Sequence, residues 1–477
     1  MKKARTRLKP TLMRRPVIGA ATLALATVTP ATSLADPWEG GAYIEVGVIH
    51  SDNIYLSATD PEEDFLLMLA PGLRYTKDSE RFNGTIDYRM EAFRYQDLAD
   101  SSDISHLLNA ELTTTLLRDK FYLDTNANAG QAIVSADAPI VLTNVPITGN
   151  RADYFDFTVQ PRWEQRIGSV DLEARSAYTN YNFDTEDEIG EADYQIESNF
   201  ELDNEHLQRG IVWDLRYEHT RATFEGALPY EYQRADFTLG LWVNSALQIF
   251  GLYGHETPID EFLDPSMDSE VWEAGFLYVP SERMRIELAA GERGFGDSYR
   301  ADINIAGQRS ELSLTYDEGP ATRASIVAGG SVVDYGPTEG LFDPLGTGDR
   351  FLQKLGAFVF TRQMPKSQFQ IQLLSDRREN VLTATGTSRA DEQYDSAIAT
   401  YEWDVSARVA IELGAEYLKF EDEVRDGDLK RGRFSVTYGL GARTALTFAI
   451  DHIVNNDISF PYVATQVSLV LRRDFSL

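Results

Sequence analysis

The sequence predicts an all-β fold: a transmembrane antiparallel β-barrel of about 22 strands, with the N- and C-termini in the periplasm. Three observations predict it. Polar and apolar side chains alternate along nearly the whole chain, the alternating segments are about nine to eleven residues long, and short connections alternate with long ones. Bacterial outer-membrane barrels combine such strands with short periplasmic turns and longer external loops.

The alternation is clear in segments 82–92, 108–116 and 155–164, where every second residue is apolar or small. Successive side chains on a strand point to opposite faces, so each segment has one apolar and one charged face. A soluble β-sandwich shows the same pattern, but its strands usually have only about five or six residues. The greater length favours strands that cross a membrane at a tilt.

A closed barrel is expected because lipid cannot satisfy unpaired backbone groups. No apolar run reaches the roughly 20 residues that a membrane-spanning helix needs. The last strand should turn Phe475, Leu471, Leu469, Val467 and Val463 to lipid, and it is similar to the strand that barrel-assembly machinery recognises. Arg473 interrupts this face and is expected to snorkel at the interface. Aromatic girdles are predicted from Tyr75, Trp163, Tyr178, Tyr217, Tyr253, Tyr417 and Tyr438.

Residues 1–35 are predicted to be a cleaved signal peptide. Val17–Val28 is the apolar segment and Ser33–Ala35 the cleavage motif, preceded by the basic residues Lys2, Lys3, Arg5, Arg7, Lys9, Arg14 and Arg15. An uncleaved anchor helix is the alternative, disfavoured by the short apolar segment. Residues 36–41 are then a short periplasmic lead, and 42–477 the barrel. The first strand, Tyr43–Ile49, starts within about ten residues of the cleavage site, so no plug domain is expected before it.

Composition narrows the function classes. Removal of the signal peptide lowers the formal net charge of −31 by seven, to −38, which excludes nucleic acid as an expected partner. The chain has 24 Phe, 23 Tyr, 34 Gly and no Cys, as a barrel exported through an oxidising periplasm would tolerate. The expected partners are outer-membrane lipid, lipopolysaccharide and the barrel-assembly machinery, and no cofactor is expected.

The polar face of the strands should line the lumen. The candidates are Asp87, Arg89, Glu91, Glu111, Asp124, Asp156, Arg162, Glu164, Asp171, Glu173, Arg175, Asp214, Arg216, Glu218, Arg285, Glu287, Glu311, Glu412 and Asp451. Residues two apart share a face, so Asp87–Arg89–Glu91 and Asp214–Arg216–Glu218 are predicted to form charge ladders. Either these ladders neutralise each other and stiffen a wide barrel, or the acid excess makes a weakly cation-preferring channel.

The connection 131–151 is unusually apolar for an external loop. A barrel of this size is open unless something fills it, so this loop is a candidate for narrowing the lumen. The alternative is that it merely extends its hairpin above the membrane.

No nucleophile–base pair is expected within a strand, because His106 and Ser105, like His50 and Ser51, are adjacent and point to opposite faces. The sequence therefore predicts a protein that is not an enzyme. Two acidic loops are candidates for Ca²⁺, although neither has EF-hand spacing and solvated charge is the alternative. The first contains Asp184, Glu186, Asp187, Glu188 and Glu191, and the second Glu421, Asp422, Glu423, Asp426 and Asp428.

Segments spread over the chain resemble the exosortase-associated (PEP-CTERM system) outer-membrane β-barrel family, related to β-barrel porins. They are Ser51–Leu56, Leu69–Leu73, Phe121–Asp124, Thr148–Arg151 and Pro161–Trp163. The resemblance covers essentially the whole mature chain. It implies a role near exopolysaccharide production and export, and it supplies no binding or catalytic residues.

These observations give three hypotheses. The first is a porin-like channel associated with exopolysaccharide secretion. The second is a non-conducting scaffold barrel that docks polysaccharide or export components. The third is an outer-membrane lipid hydrolase.

Overall fold

The computed structural model describes residues 38–98, 103–133, 144–147, 151–183, 193–204, 209–224, 229–258, 269–322, 349–382, 390–422 and 426–476. The predicted signal peptide lies outside these residues. Within them, no helix is long and apolar enough to cross a membrane.

The described chain forms one closed sheet of 22 antiparallel strands. Each strand pairs with the next along the chain, and β1 pairs with β22 to close the barrel. The predicted fold class and strand number are therefore confirmed. The strands are β1 (Glu39–Ser51), β2 (Asp64–Asp78), β3 (Phe82–Tyr95), β4 (Asp103–Leu117), β5 (Phe121–Ile133), β6 (Arg151–Ile167), β7 (Val170–Phe183), β8 (Asp193–Asp203), β9 (Ile211–Thr223), β10 (Tyr230–Trp242), β11 (Leu247–Pro258), β12 (Ser269–Ser281), β13 (Met284–Arg293), β14 (Gly296–Ala306), β15 (Ser310–Thr322), β16 (Arg350–Met364), β17 (Ser367–Leu382), β18 (Glu392–Ser406), β19 (Val409–Glu421), β20 (Asp426–Gly441), β21 (Thr444–Asn455) and β22 (Tyr462–Ser476).

The two rims of the barrel differ in the length of their connections. At the short-turn rim, connections have two to four residues, apart from 204–210. At the long-loop rim they reach 27 residues in 323–349, and only 294–295 and 422–425 are as short as the connections at the other rim. Strand β1 begins and strand β22 ends at the short-turn rim. Strand β1 starts at Glu39, three residues before the predicted start of the barrel, because pairing with β2 continues to Thr76.

The outer face of the barrel is an apolar belt. Along β1, the outward side chains of Val46 and Val48 are 51% and 45% exposed, whereas the inward side chain of Glu45 is 9% exposed. The same alternation recurs around the barrel. All of the predicted girdle aromatics lie on this outer face, and so do Val463, Val467, Leu469, Leu471 and Phe475 of β22. A closed barrel with an apolar exterior satisfies its backbone inside lipid. The protein is accordingly a transmembrane barrel of the bacterial outer membrane.

The inner face near the closing strands is tightly packed. Gly72 of β2 lies directly opposite Tyr43 of β1, and a Cβ at Gly72 would come within 2.3 Å of the Tyr43 ring. The missing side chain therefore lets the ring lie flat on the wall. The guanidinium of Arg472 covers the other side of the ring, 3.9 Å from its centroid, so that β1, β2 and β22 are packed together on the inside.

Candidate functional site: the barrel lumen

The strand pairing places all of the lumen-lining candidates on the inner face, opposite the exposed apolar residues. The assignment follows from the strand register. Asp87 is paired with Arg74 of β2 and Asn109 of β4. On those two strands the exposed apolar residues, Leu67 and Ile104, point to the opposite face. The structure thus brings these candidates to one surface that encloses the lumen. Their role in conduction stays a prediction.

The predicted charge ladders form only in part, because the arginines also bind carboxylates on other strands. Arg89 binds Glu91 on its own strand at 2.9 Å and Glu45 on β1 at 3.0 Å, between Nη2 and the carboxylate oxygens. Asp87 is bound instead by Arg74 of β2. A guanidinium has five donors in a planar fork, so one Arg can join two carboxylates on different strands.

The second predicted ladder shows the same departure. Arg216 Nη2 lies 3.4 Å from Asp214 Oδ2 on its own strand and 3.2 Å from Glu201 Oε1 on β8. Glu218 is not among the ion-pair partners of Arg216. The predicted ladder of three residues is therefore an Asp214–Arg216 pair with an additional ion pair to Glu201 on β8.

Every arginine on the inner face of the described strands lies within ion-pair distance of a carboxylate. These are Arg74, Arg89, Arg162, Arg166, Arg175, Arg216, Arg234, Arg285, Arg293, Arg300, Arg378, Arg431, Arg433 and Arg472. Several of these arginines were not among the sequence-predicted candidates. The period-two phase of their own strands would have identified them, as in Asp376–Arg378, where the two residues share a face.

Two of these pairs are deeply buried. Arg378 binds Asp376 through Nη2 at 2.8 Å, and its guanidinium lies between the rings of Phe351 and Tyr394, 5.0 and 4.6 Å from their centroids. Arg293 Nη2 lies 2.6 Å from Glu256 Oε2. Charges removed from water in this way need partners, and the aromatic faces add cation–π attraction. These arginines are held as parts of the wall.

Carboxylates outnumber arginines on the inner face, and one group lies near the short-turn rim. Asp171, Asp203 and Asp214 are directly opposite one another on β7, β8 and β9. Arg166 binds Asp171 through Nε at 2.5 Å, and Arg216 approaches Asp214. Like charges in directly opposite positions destabilise a sheet, and Arg166 and Arg216 offset part of this repulsion.

The β1–β2 loop folds into the lumen at the long-loop end. Ile54 is fully buried against inner-face residues of β1, β2 and β3, including Leu66 and Phe93. Leu56 is 4% exposed in a second apolar cluster formed by β18–β22, including Phe420. Leu56 also has a φ of 52°, a left-handed conformation that costs a branched residue roughly 1–2 kcal/mol. Burial of its side chain offsets this cost.

The β5–β6 connection also contacts the inner wall. Of residues 134–150 only 144–147 are described, and they pack inside the barrel. Val145 is 5% exposed within the Ile54 cluster, and its carbonyl accepts a hydrogen bond from Tyr95 Oη at 2.9 Å. Asn144 Nδ2 donates to Glu91 Oε2 at 2.7 Å, and Ile147 N donates to the Ile54 carbonyl at 2.8 Å. This part of the loop folds inward, which favours the constriction over the simple hairpin extension.

Together, residues 52–63 and 144–147 form a two-loop constriction. It covers the inner wall of β1–β4 and β18–β22, whose long-loop end is apolar. The loops are apolar where they pack on this wall. The arginine–carboxylate network continues around the whole inner face, including the covered strands, where it contains Arg89 and Arg472.

The geometry separates the serine–histidine neighbours considered from the sequence. Ser105 is buried on the inner face, where Asn144 reaches its Oγ at 3.4 Å, whereas His106 faces outward and its Nδ1 lies 2.8 Å from Tyr88 Oη. The hydrolase hypothesis has no support from this pair. That the protein is not an enzyme stays a prediction.

The first acidic loop proposed for Ca²⁺, Asp184–Glu191, lies outside the described residues. In the second loop, Glu423 lies outside the described residues. Asp428 Oδ2 binds Lys430 Nζ at 2.5 Å, so a cation of the chain already neutralises one carboxylate. Within the described ranges, no group of three or more His, Cys, Asp or Glu side chains is arranged to hold a metal ion.

No protein-family model matches the chain, and no curated relative matches it. Solved outer-membrane barrels are similar in structure. They include the FrpB iron transporter from Neisseria meningitidis (TM-score 0.47, 8% identity, 92% of this chain and 83% of that chain). The siderophore receptor PirA from Acinetobacter baumannii matches with a TM-score of 0.46 at 7% identity over 92% of this chain and 81% of that chain. A mutant of the ferric enterobactin receptor from Pseudomonas aeruginosa matches with a TM-score of 0.45 at 9% identity, over 92% of this chain and 81% of that chain. Function is therefore argued from the residues of this chain alone.

Proposed function

We propose that the protein is a porin-like channel that passes small solutes and prefers cations to anions. The observation that carries the proposal is the charge balance of the inner wall. Its arginines are all paired with carboxylates, whereas the carboxylates outnumber them. The net field in the lumen is therefore negative, and a low-dielectric wall strengthens such a field.

The row of Asp171, Asp203 and Asp214 is the part of the wall expected to act most strongly on ions. It lies within four residues of the short-turn rim on β7–β9. A cation that passes this row relieves the repulsion between neighbouring carboxylates, and an anion increases it.

The test is the reversal potential of the refolded protein in a planar bilayer under a salt gradient. We expect the sign of the reversal potential to show cation preference. The reversal potential should be smaller at 1 M salt, because the screening length there falls to about 3 Å. Asp203→Asn should reduce the preference. Asp395→Asn is the matched control, because Asp395 lies on the outer face of β18 and accepts from Ser375 Oγ at 2.6 Å. Anion preference in the wild-type protein would contradict the proposal.

The resemblance to the exosortase-associated family adds a role in exopolysaccharide secretion to the proposal. An acid-rich wall repels anionic polymers, so neutral or cationic polysaccharide components fit it better. A strain that lacks the gene should export less polysaccharide, and the wild-type gene should restore export. No change in surface polysaccharide on deletion would remove this part of the proposal.

A non-conducting scaffold is the second candidate, and the two-loop constriction is the observation that favours it. If the loops close the lumen, the wild-type protein carries no current in the same bilayer. Current that appears only after Val145→Asp or a similar change in the loops would then make the barrel a closed scaffold.

A further inference from the structure

The seam between β14 and β15 is the least paired of all the seams in the barrel. Its register ends at Ala301 and Tyr316, although residues 296–300 of β14 and 317–322 of β15 continue toward the long-loop rim. In these two segments β14 pairs only with β13, and β15 pairs only with β16. The two strands therefore border a slit in the barrel wall that opens at the long-loop rim.

Side chains take the place of the missing backbone pairing across this slit. The backbone N of Tyr299 donates to Glu318 Oε2 at 3.2 Å, and the Glu318 carbonyl accepts from Arg293 Nη1 of β13. Tyr316 Oη donates to the other oxygen of the same carboxylate at 2.6 Å. Side chains can change rotamer without breaking a β-ladder, so these contacts close the slit less firmly than backbone pairing would.

The sequence of β15 keeps this seam from closing as a ladder. Extension of the register would place Pro320 opposite Asp297 and Gly319 opposite Ser298. Proline has no N–H to donate to a ladder, and glycine weakens a strand. A Cβ at Gly319 would approach no heavy atom more closely than 4.0 Å, so the space beside it is open. The slit is therefore encoded by residues of β15 itself.

The slit lies at the edge of the apolar belt. Tyr299 and Tyr316 point outward at its lower end, and Tyr299 is 53% exposed. Below them the paired part of the seam carries the outward residues Ile303, Ile305 and Leu312. Outward tyrosines above an apolar surface mark the level where acyl chains meet headgroups. Backbone groups without a ladder partner are tolerated at this level, because water and headgroups reach them.

Two carboxylates flank the slit. Asp297 points outward and Asp317 points into the lumen, and both are exposed and have no ion-pair partner among the described residues. The cations beside the slit, Arg293, Arg300 and Lys354, are bound to carboxylates of other strands. The slit is therefore acidic on both sides of the wall.

We propose that the slit is a lateral port between the lumen and the lipid layer at the long-loop rim, and that it takes a single-chain amphiphile with a cationic headgroup. The headgroup lies between Asp297 and Asp317, which attract a cation and repel an anion. The alkyl chain leaves the polar lumen for the apolar belt, and its transfer out of water is favourable. The port depends on the geometry of the seam and not on ion conduction, so it is independent of the channel proposal.

The test measures cysteine accessibility in the full-length barrel refolded in lipid vesicles, because the chain has no cysteine of its own. Gly319→Cys places a thiol on the inner face beside the slit. Thr220→Cys is the matched control, since Thr220 also points inward near the long-loop rim but lies between strands that are paired on both sides.

The reagent is N-hexadecylmaleimide, which stays in the bilayer, and a water-soluble maleimide corrects each rate for access from the lumen. We expect the corrected rate of Gly319→Cys to exceed that of Thr220→Cys by about tenfold, because a paired wall separates the control thiol from lipid.

Headgroup recognition is measured as protection of the same thiol from the lipid-soluble maleimide. Dodecyltrimethylammonium should slow the reaction of Gly319→Cys, whereas dodecyl sulfate and tetramethylammonium should not. Asp297→Asn with Asp317→Asn should weaken this protection by about fivefold, as expected for the loss of exposed charge pairs. The control pair, Glu282→Gln with Glu311→Gln, removes the same charge at the short-turn rim and should leave the protection unchanged.

Equal corrected rates at the two cysteines would overturn the port, whatever ion current the same preparation carries. Equal protection by the ammonium and the sulfate, or equal loss in the control pair, would overturn the cationic headgroup. If Gly319→Cys does not fold, Ser298→Cys on the other edge of the slit replaces it, with the same expected results.

Discussion

A hydrogen bond between Asn53 and Val463 links the first loop of the barrel to its last strand. Asn53 Nδ2, in the β1–β2 loop, donates to the Val463 carbonyl of β22 at 2.9 Å, and the two residues are 410 positions apart in the chain. The same amide nitrogen donates to the Ser57 carbonyl at 2.8 Å, and Asn53 Oδ1 accepts from Ser57 N at 2.8 Å. One side chain thus fixes the shape of the loop and ties it to the closing strand.

Asn53→Ala should destabilise the barrel by about 1–3 kcal/mol, because it removes three part-buried hydrogen bonds to backbone groups of the loop and of β22. The measurement is urea unfolding in lipid, followed by the loss of the compact, heat-modifiable band on a gel. Asn109→Ala is the control, because the Asn109 amide makes only an exposed contact of 3.4 Å with Asn128. Equal stability of the two variants would mean that the loop contributes nothing to closure.

Leu112→Arg should block assembly, whereas Thr113→Arg should be tolerated. Leu112 faces lipid, where a cation at mid-bilayer costs about 2–4 kcal/mol. Thr113 faces the lumen, and its Oγ1 donates to Asp124 Oδ1 at 2.7 Å, so an arginine there gains a carboxylate partner. The readout is the yield of folded protein in isolated outer membranes. Equal yields from the two variants would show that the inner and outer faces of β4 are exchanged.

Val145→Asp should increase single-channel conductance while the barrel stays folded. The substitution places a charge in the apolar cluster around Ile54, where it has no partner, so the loop should leave the wall. Single-channel recording measures the effect. Val463→Ala, on the outer face of β22, serves as a control that should leave conductance unchanged. Unaltered conductance in Val145→Asp with normal folding would show that residues 144–147 do not narrow the path.

Arg378→Met should destabilise the protein by about 3–5 kcal/mol, because it leaves the buried carboxylates of Asp376 and Glu392 without their cation. Urea unfolding at neutral pH measures the loss. Arg433→Met is the comparison, since Arg433 is half-exposed and only 4.0 Å from its carboxylate partner. The two losses should differ by about 2 kcal/mol or more; a similar loss in both would mean that the Arg378 pair is not a buried structural element.

The sequence by itself determined the strands, their number and their faces. Alternation is a local consequence of the pleated backbone, so the outward position of Leu112 and the inward position of Asp87 follow from their neighbours. The need to pair every backbone group in lipid then requires closure. The C-terminal face of Val463 to Phe475 was predictable for the same reasons.

Only the tertiary structure decided which inner side chains meet and what covers them. Arg472 reaches Glu45, 427 residues away, because β22 pairs with β1 in one particular register. Arg89 binds carboxylates on two strands for the same reason. Spacing along its own strand predicted the contact with Glu91 but not the one with Glu45. The inward course of the β1–β2 loop depends on barrel closure, because Ile54 packs on residues of β1–β3 while Leu56 packs on residues of β18–β22.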